Sequence, residues 1–175
     1  VALAGGSTSA AGQAVLAQME SESRRTVLDG VFTAAQAERG KEAYATHCSS
    51  CHTDDLSGGS APGLKGQEFT NRWREDTVKS LFTFIQTNMP PRNRSNLTEE
   101  IYVDILAHIL AVNMFPAGSE ELRPRVLDSI RFVGKEGPAE VPDFSLVDVV
   151  GCLVQEPDQT WKLTKGSSPV RTGDQ

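Results

Sequence analysis

The chain has 175 residues, 38% of them hydrophobic, enough for one domain of ordinary size with a modest core and an appendage. Seventeen basic against 23 acidic residues leave a net charge of −6 and a pI near 5.1, which excludes a nucleic-acid binder built on a basic face. No run approaches the ~20 apolar residues of a membrane-spanning helix, and the start at Val1 fits a processed export product.

Residues 1–30 carry no strong period. Gly5, Gly6, Ser7, Thr8 and Ser9 read as flexible, 14–19 as a short helix, and the whole as an N-terminal arm that needs a surface to lie on. The first clear helix is predicted over about 33–48. Thr33 and Gln36 form a T-x-x-Q capping box at its start, and Ala, Glu, Arg and Lys fill its interior. Gly40 in mid-helix costs about 1 kcal/mol relative to Ala. It reads as a place where another helix comes close, with Tyr44 one turn on in the same contact, or as a tolerated surface glycine.

Cys48-Ser49-Ser50-Cys51-His52 follows at once. C-x-x-C-H is the pattern of covalent c-type haem attachment: each thiol adds to a vinyl group, and the adjacent imidazole lies under the iron. A zinc half-site would want a second Cys/His pair, and a redox dithiol a βαβ frame; neither is visible. Haem is joined to cysteine outside the cytoplasm, so the expected location is the periplasm or the extracellular face of a membrane.

Residues 53–70 read as loop. An iron-ligating histidine needs an acceptor for its other ring nitrogen, and Pro62 is a candidate to present its carbonyl there, though Pro62-Gly63 is equally turn chemistry. Leu64 would then cover the haem face. Trp73, with Arg72 and Arg74 beside it, could donate to haem propionates, buried anions that need such partners; ordinary core is the other reading of Trp73. A second helix over 76–88 carries one apolar stripe of Val78, Leu81, Phe82, Ile85 and Met89. Pro90 stops it and fixes the backbone after Met89, a way to hold a thioether on the far side of iron. The third helix starts at the N-cap Thr98, with Glu99 and Glu100 in its first turn, and runs to about 113. Asp104 and His108, at i and i+4, are expected to pair on its solvent face. His47 reads as surface.

Residues 119–140 read as a wrapping connector. From 144 to 155 the pattern turns to strand, with 161–164 as a return strand after the Glu156-Pro157-Asp158-Gln159 turn. A lone hairpin is marginal in water, so this tail is expected to pack on the haem domain or on another subunit. Cys152 is left over once two cysteines hold haem, and its apolar strand favours burial. There is no second haem motif.

Taken together, about 32–118 resembles a class I mono-haem cytochrome c. The likeness rests on Gly40 and Tyr44, Cys48-x-x-Cys51-His52, Ala61-Pro62-x-Leu64-x-Gly66, Met89-Pro90 and the closing helix. Stretches 81–90 and 102–110, with Asn113-x-Phe115-Pro116-Ala117-Gly118, are most similar to cytochrome domains associated with pyrroloquinoline-quinone dehydrogenases. The resemblance implies a mainly α fold with first and last helices crossing at Gly40, one covalent haem c on Cys48 and Cys51, axial ligands His52 and Met89, Pro62 holding His52, and propionates near Trp73. The expected organisation is an N-terminal arm (1–30), a haem domain (31–118), a connector (119–140) and a β-hairpin tail (141–175).

The expected function is one-electron transfer through a low-spin His/Met haem c, with no catalytic residues, in a subunit or docked partner of a larger redox complex or dehydrogenase. The arm and hairpin would anchor it. Lys65, Arg72, Arg74, Lys79, Arg92 and Arg94 against Glu68, Glu75 and Asp76 give a local excess of three positive charges, a patch suited to steering a protein redox partner. The alternative is a haem peroxidase or gas sensor with an open sixth iron position.

Overall fold

A computed structural model describes residues 25–91, 96–137, 141, 143–166 and 169–171. The predicted arm therefore falls mostly outside the described residues. The chain divides after Gly137 into two units.

The first unit is helical. Strand β1 (Arg25–Thr26) leads into α1 (Ala34–His47), the single turn α2 (Ser49–His52), α3 (Gly66–Trp73), α4 (Val78–Asn88) and α5 (Glu99–Val112). A 3-10 segment (Pro124–Ser129) and β2 (Ile130–Arg131) close it. Each long helix starts on a threonine whose hydroxyl accepts from a first-turn amide: Thr33 from Gln36, Thr77 from Ser80, Thr98 from Ile101. The predicted capping box is only half made. The Gln36 side chain does not turn back to Thr33; it is buried and bonds both backbone groups of Leu122, Nε2 to the carbonyl at 2.9 Å and Oε1 from the N–H at 2.8 Å.

Helices α1 and α5 cross at Gly40, where a Cβ would run into the Asp104 carbonyl and sit 3.1 Å from the His108 Cβ. Only a glycine lets the backbones meet there. The crossing also revises the expected Asp104–His108 pair. Asp104 instead receives Arg39, Nε at 3.0 Å and Nη2 at 3.2 Å. His108 turns inward, 9% exposed, against the Tyr44 ring with centroids 5.4 Å apart. Three further features lay outside the sequence reading: α3, within a stretch read as loop and haem contact; the 3-10 segment; and the parallel pairing of Arg25 with Ile130 and Thr26 with Arg131.

Residues beyond 118 supply part of this unit's core. Leu122, Leu127, Ile130, Phe132 and Val133 are all buried. Phe132 packs edge-on against Phe69 and Phe115, 6.1 and 5.3 Å between centroids. Its amide donates to Asp76 and its carbonyl accepts from Glu75, both at 2.8 Å. At the other end Val27, Val31 and Phe32 are equally buried, and the Gly118 amide donates to the Phe32 carbonyl at 2.6 Å.

The second unit is all β. Strand β4 (Cys152–Gln155) pairs antiparallel with β5 (Trp161–Thr164), Leu153 opposite Leu163, and β3 (Val147–Asp148) pairs antiparallel with β6 (Val170–Arg171). The turn over 156–160 closes with Glu156 N–H to the Thr160 carbonyl at 2.9 Å. None of the described side chains after Gly137 is buried. Cys152 is exposed, contrary to the burial its apolar strand suggested.

Candidate haem-attachment site

The attachment motif begins where α1 ends. The Cys48 amide closes α1 on the Tyr44 carbonyl at 2.8 Å, and the amides of Cys51 and His52 return to the Cys48 carbonyl at 3.2 and 3.1 Å. This single turn carries both thiols beside the imidazole. Cys48 and Cys51 are free, not bridged to each other, and partly exposed. Burial, and then the neighbouring Cys51, push the Cys48 thiol up to about 11. That is the opposite of the lowered pKa that makes a C-x-x-C pair a disulfide exchanger. Among the described residues no group of three His, Cys, Asp or Glu gathers to hold a metal ion, so the motif is not half of a zinc site there.

His52 is 7% exposed, and its Nδ1 lies 2.7 Å from the Pro62 carbonyl. A carbonyl only accepts, so Nδ1 carries the proton and Nε2 keeps the lone pair a metal requires. Two free thiols and a histidine in that tautomer, on one turn, are the donor set covalent haem needs, and they fit it.

The loop that brings Pro62 back is tied at several points. Thr53, in the left-handed region at φ 65°, receives the Tyr44 hydroxyl on its carbonyl at 2.8 Å. Burial pushes the Tyr44 phenol well up. Asp55 accepts from Ser57 Oγ at 2.6 Å, Thr53 Oγ1 at 2.7 Å, Lys65 Nζ at 2.9 Å and the Ser57 amide at 3.1 Å. These bonds, Ser57 foremost, hold its carboxyl well below the usual range. Leu56 is buried, and its carbonyl accepts from Leu64 at 2.9 Å. Asn113, 5% exposed at the end of α5, donates from Nδ2 to the carbonyls of Leu64 and Ile109, each at 2.9 Å, and accepts the Gly66 amide on Oδ1 at 2.9 Å.

On the other side, α4 buries Val78, Leu81 and Phe82 and leaves Phe84 and Ile85 partly covered. Met89 is its C-cap. The Met89 amide donates to Ile85, and its carbonyl accepts from the Tyr102 hydroxyl of α5, both at 2.8 Å. Trp73, 8% exposed, meets Phe84 edge-on at 5.5 Å, with the Arg72 guanidinium over both rings. The buried Arg74 Nε has no hydrogen bond; its nearest acid, Glu75 Oε1, stands at 3.5 Å.

Of the residues singled out from sequence, Cys48, Cys51, His52 and Pro62 therefore share one local structure. Leu64 packs partly buried against the core. Trp73 ends α3 and Met89 ends α4, and no hydrogen bond joins either to His52 among the described residues. Asn113, Tyr102 and Asp55 lay outside the candidate set. Their one sequence signal is position, at helix ends and in the loop beside the motif.

Residues 35–109 match the family model described as cytochrome C oxidase, cbb3-type, subunit III. No curated protein and no solved structure matches the chain. The matched stretch runs from α1 through most of α5 and contains the attachment turn, the Pro62 loop and Met89. The match supports a class I c-type cytochrome domain over this stretch, with covalently bound haem c as its cofactor and electron transfer as its chemistry.

Proposed function

We propose that this protein is a one-electron carrier whose haem iron is held between His52 and Met89, and that it works docked to a larger redox complex or dehydrogenase. The observation that carries the reading is the His52 Nδ1–Pro62 bond at 2.7 Å, which turns the other imidazole nitrogen into the free donor one residue from Cys51. Support for Met89 is its backbone, fixed on one side by Ile85 and on the other by Tyr102.

Haem c, when bound, supplies a one-electron iron couple, and a soft thioether ligand favours the reduced state. The chain's own work is to hold and insulate. Cys48 and Cys51 anchor, Pro62 keeps the tautomer of His52, Leu64 and Trp73 exclude water, and Arg74 Nε offers a donor suited to a propionate.

Docking falls to the surface around α3 and α4. Lys65 pairs with Asp55, and Arg74 lies by Glu75. Arg72 and Lys79 lie over aromatic rings with no acidic partner among the described residues. These two form the core of the docking patch; Arg92 and Arg94 lie outside the described residues. The partner class we favour, on the sequence resemblance of 81–90 and 102–110, is a pyrroloquinoline-quinone dehydrogenase in the periplasm. The β tail is its second point of attachment.

A UV–visible spectrum of oxidised and reduced protein, with and without carbon monoxide, tests the ligation. A weak band at the red end in the oxidised form, lost on reduction, and indifference to carbon monoxide are expected. A high-spin spectrum that shifts with the gas would overturn Met89 ligation and favour the peroxidase or sensor reading. Electron-transfer rates insensitive to ionic strength would remove the Arg72/Lys79 patch.

A further inference from the structure

We propose that Asn113 is a positioning residue for the axial histidine: from the end of α5 it grips the chain at Leu64 and Gly66 and so holds the Pro62 carbonyl on His52. The inference rests on His52 as an iron ligand, and it adds a residue that acts on that ligand from 61 positions away in the chain.

The geometry runs in one line. Asn113 spends its whole carboxamide on backbone, with Oδ1 taking the Gly66 amide and Nδ2 reaching the Leu64 carbonyl and, within its own helix, the Ile109 carbonyl. Leu64 and Gly66 stand two and four residues beyond Pro62. Upstream, the loop is tied by the Tyr44 hydroxyl on Thr53 and by the Asp55 knot, whose Oδ2 also reaches forward to Lys65. Between them, Leu64 N–H bonds the buried Leu56 and Ala61 N–H bonds the Cys51 carbonyl at 3.1 Å. Pro62 is thus presented by a segment held at both ends, and α5 grips the downstream end through one side chain, Asn113. Because Asn113 is buried, its bonds are not exchanged with water, and losing them leaves a backbone donor and two acceptors without this partner.

The chemistry follows from what Pro62 does to the ring. A firm Nδ1–H···O bond raises the basicity of the imidazole and favours the oxidised metal; a loosened one favours the reduced metal. A merely structural asparagine would change stability and leave the ring alone.

The test uses the holoprotein. Exchange of the His52 Nδ1 proton with solvent is followed by NMR in the reduced state, and the reduced-to-oxidised ratio is read in a fixed redox buffer. In Asn113→Ala the proton is expected to exchange about tenfold faster, the equivalent of one ordinary hydrogen bond. The ratio is expected to move about threefold toward reduced. Asn113→Asp, which keeps the acceptor for Gly66 but not the donor to Leu64, lies between and serves if the alanine variant does not fold. Gln36→Ala is the control: it also deletes a buried carboxamide holding backbone, at Leu122, and is expected to lose stability with both readouts unchanged. If the Asn113 variants behave as Gln36→Ala does, the proposal is overturned. Proton exchange tests the clamp whether or not iron binds Nε2, so a wild-type spectrum without histidine ligation would sink the ligand reading separately.

Discussion

Two stretches of this chain look alike on paper and end differently. Residues 127–133, Leu-Asp-Ser-Ile-Arg-Phe-Val, and residues 146–154, Leu-Val-Asp-Val-Val-Gly-Cys-Leu-Val, are both short, apolar and rich in β-formers. The first buries Leu127, Ile130, Phe132 and Val133 completely; the second leaves Leu146 and Leu153 more than 60% exposed and Val150 78% exposed. The difference is the surface each one meets. Residues 127–133 find a parallel strand in β1, backbone partners in Asp76 and Glu75, and two phenylalanine rings for Phe132. Within its own unit the tail pairs through ladders of two and four residues. Hydrophobic character proposes a strand, but a waiting partner decides whether burial follows.

The contrast can be broken by mutation. Its largest expected consequence is at Phe132: Phe132→Ala should cost the helical unit about 3–5 kcal/mol, since both the buried ring and its aromatic contacts go, read as a lower denaturant midpoint. An unchanged midpoint would mean that 127–133 is a passenger. Next comes Gln36→Ala, expected to cost about 1–3 kcal/mol by orphaning the buried backbone groups of Leu122. It should release 119–123 before the rest of the unit, visible as early hydrogen exchange there.

A pH titration sharpens the comparison further. Burial, reinforced by Lys41 and opposed by Glu38, holds His108 below its ordinary value. As pH falls through about 6.5 the unfolded chain takes up this proton first. The helical unit should therefore be most stable above that pH and lose stability below it, down to the lowered folded value. His108→Gln should flatten that part of the profile. All three histidines precede residue 109, so the tail should show no such slope. The smallest effect is expected in the tail itself. Leu153→Ser should change the stability of the helical unit by less than about 0.5 kcal/mol, and a larger loss would show that the tail's side chains carry weight its exposure hides.

What the sequence disclosed divides along the same line of local against distant. The three long helices were legible from threonine caps and the apolar stripe of α4, all decided within a few residues. Gly40 was legible because a glycine in a good helix needs a reason. The attachment turn was legible as five contiguous residues, whereas the sequence left Pro62 open between a partner for His52 and plain turn chemistry until the fold set its carbonyl 2.7 Å from the ring. Gln36 was misread because a glutamine at the third helical position fits a capping box, while its real partner, Leu122, is 86 residues away. His108 and Asp104 were misread because i,i+4 spacing is silent about what faces the helix; Arg39 and Tyr44 claimed them first. Asn113 looks like any helix-ending asparagine until the fold sets Leu64 and Gly66 beside it. Nothing local announces that Arg25 will lie against Ile130.

That last pairing bears on how the domain closes. Arg25 and Thr26, the first of the described residues, run alongside Ile130 and Arg131 near the far end of the helical unit. A few residues further in, Gly30 and Gly118 press so close that a Cβ on Gly118 would run into the Gly30 carbonyl. A module whose two ends lie side by side can be spliced into a surface loop of another chain, or have its ends joined and be reopened elsewhere, with little added cost of loop closure. The paired strands thus bring residues 25 and 130 side by side, so the segment between them closes on itself without a long bridging loop.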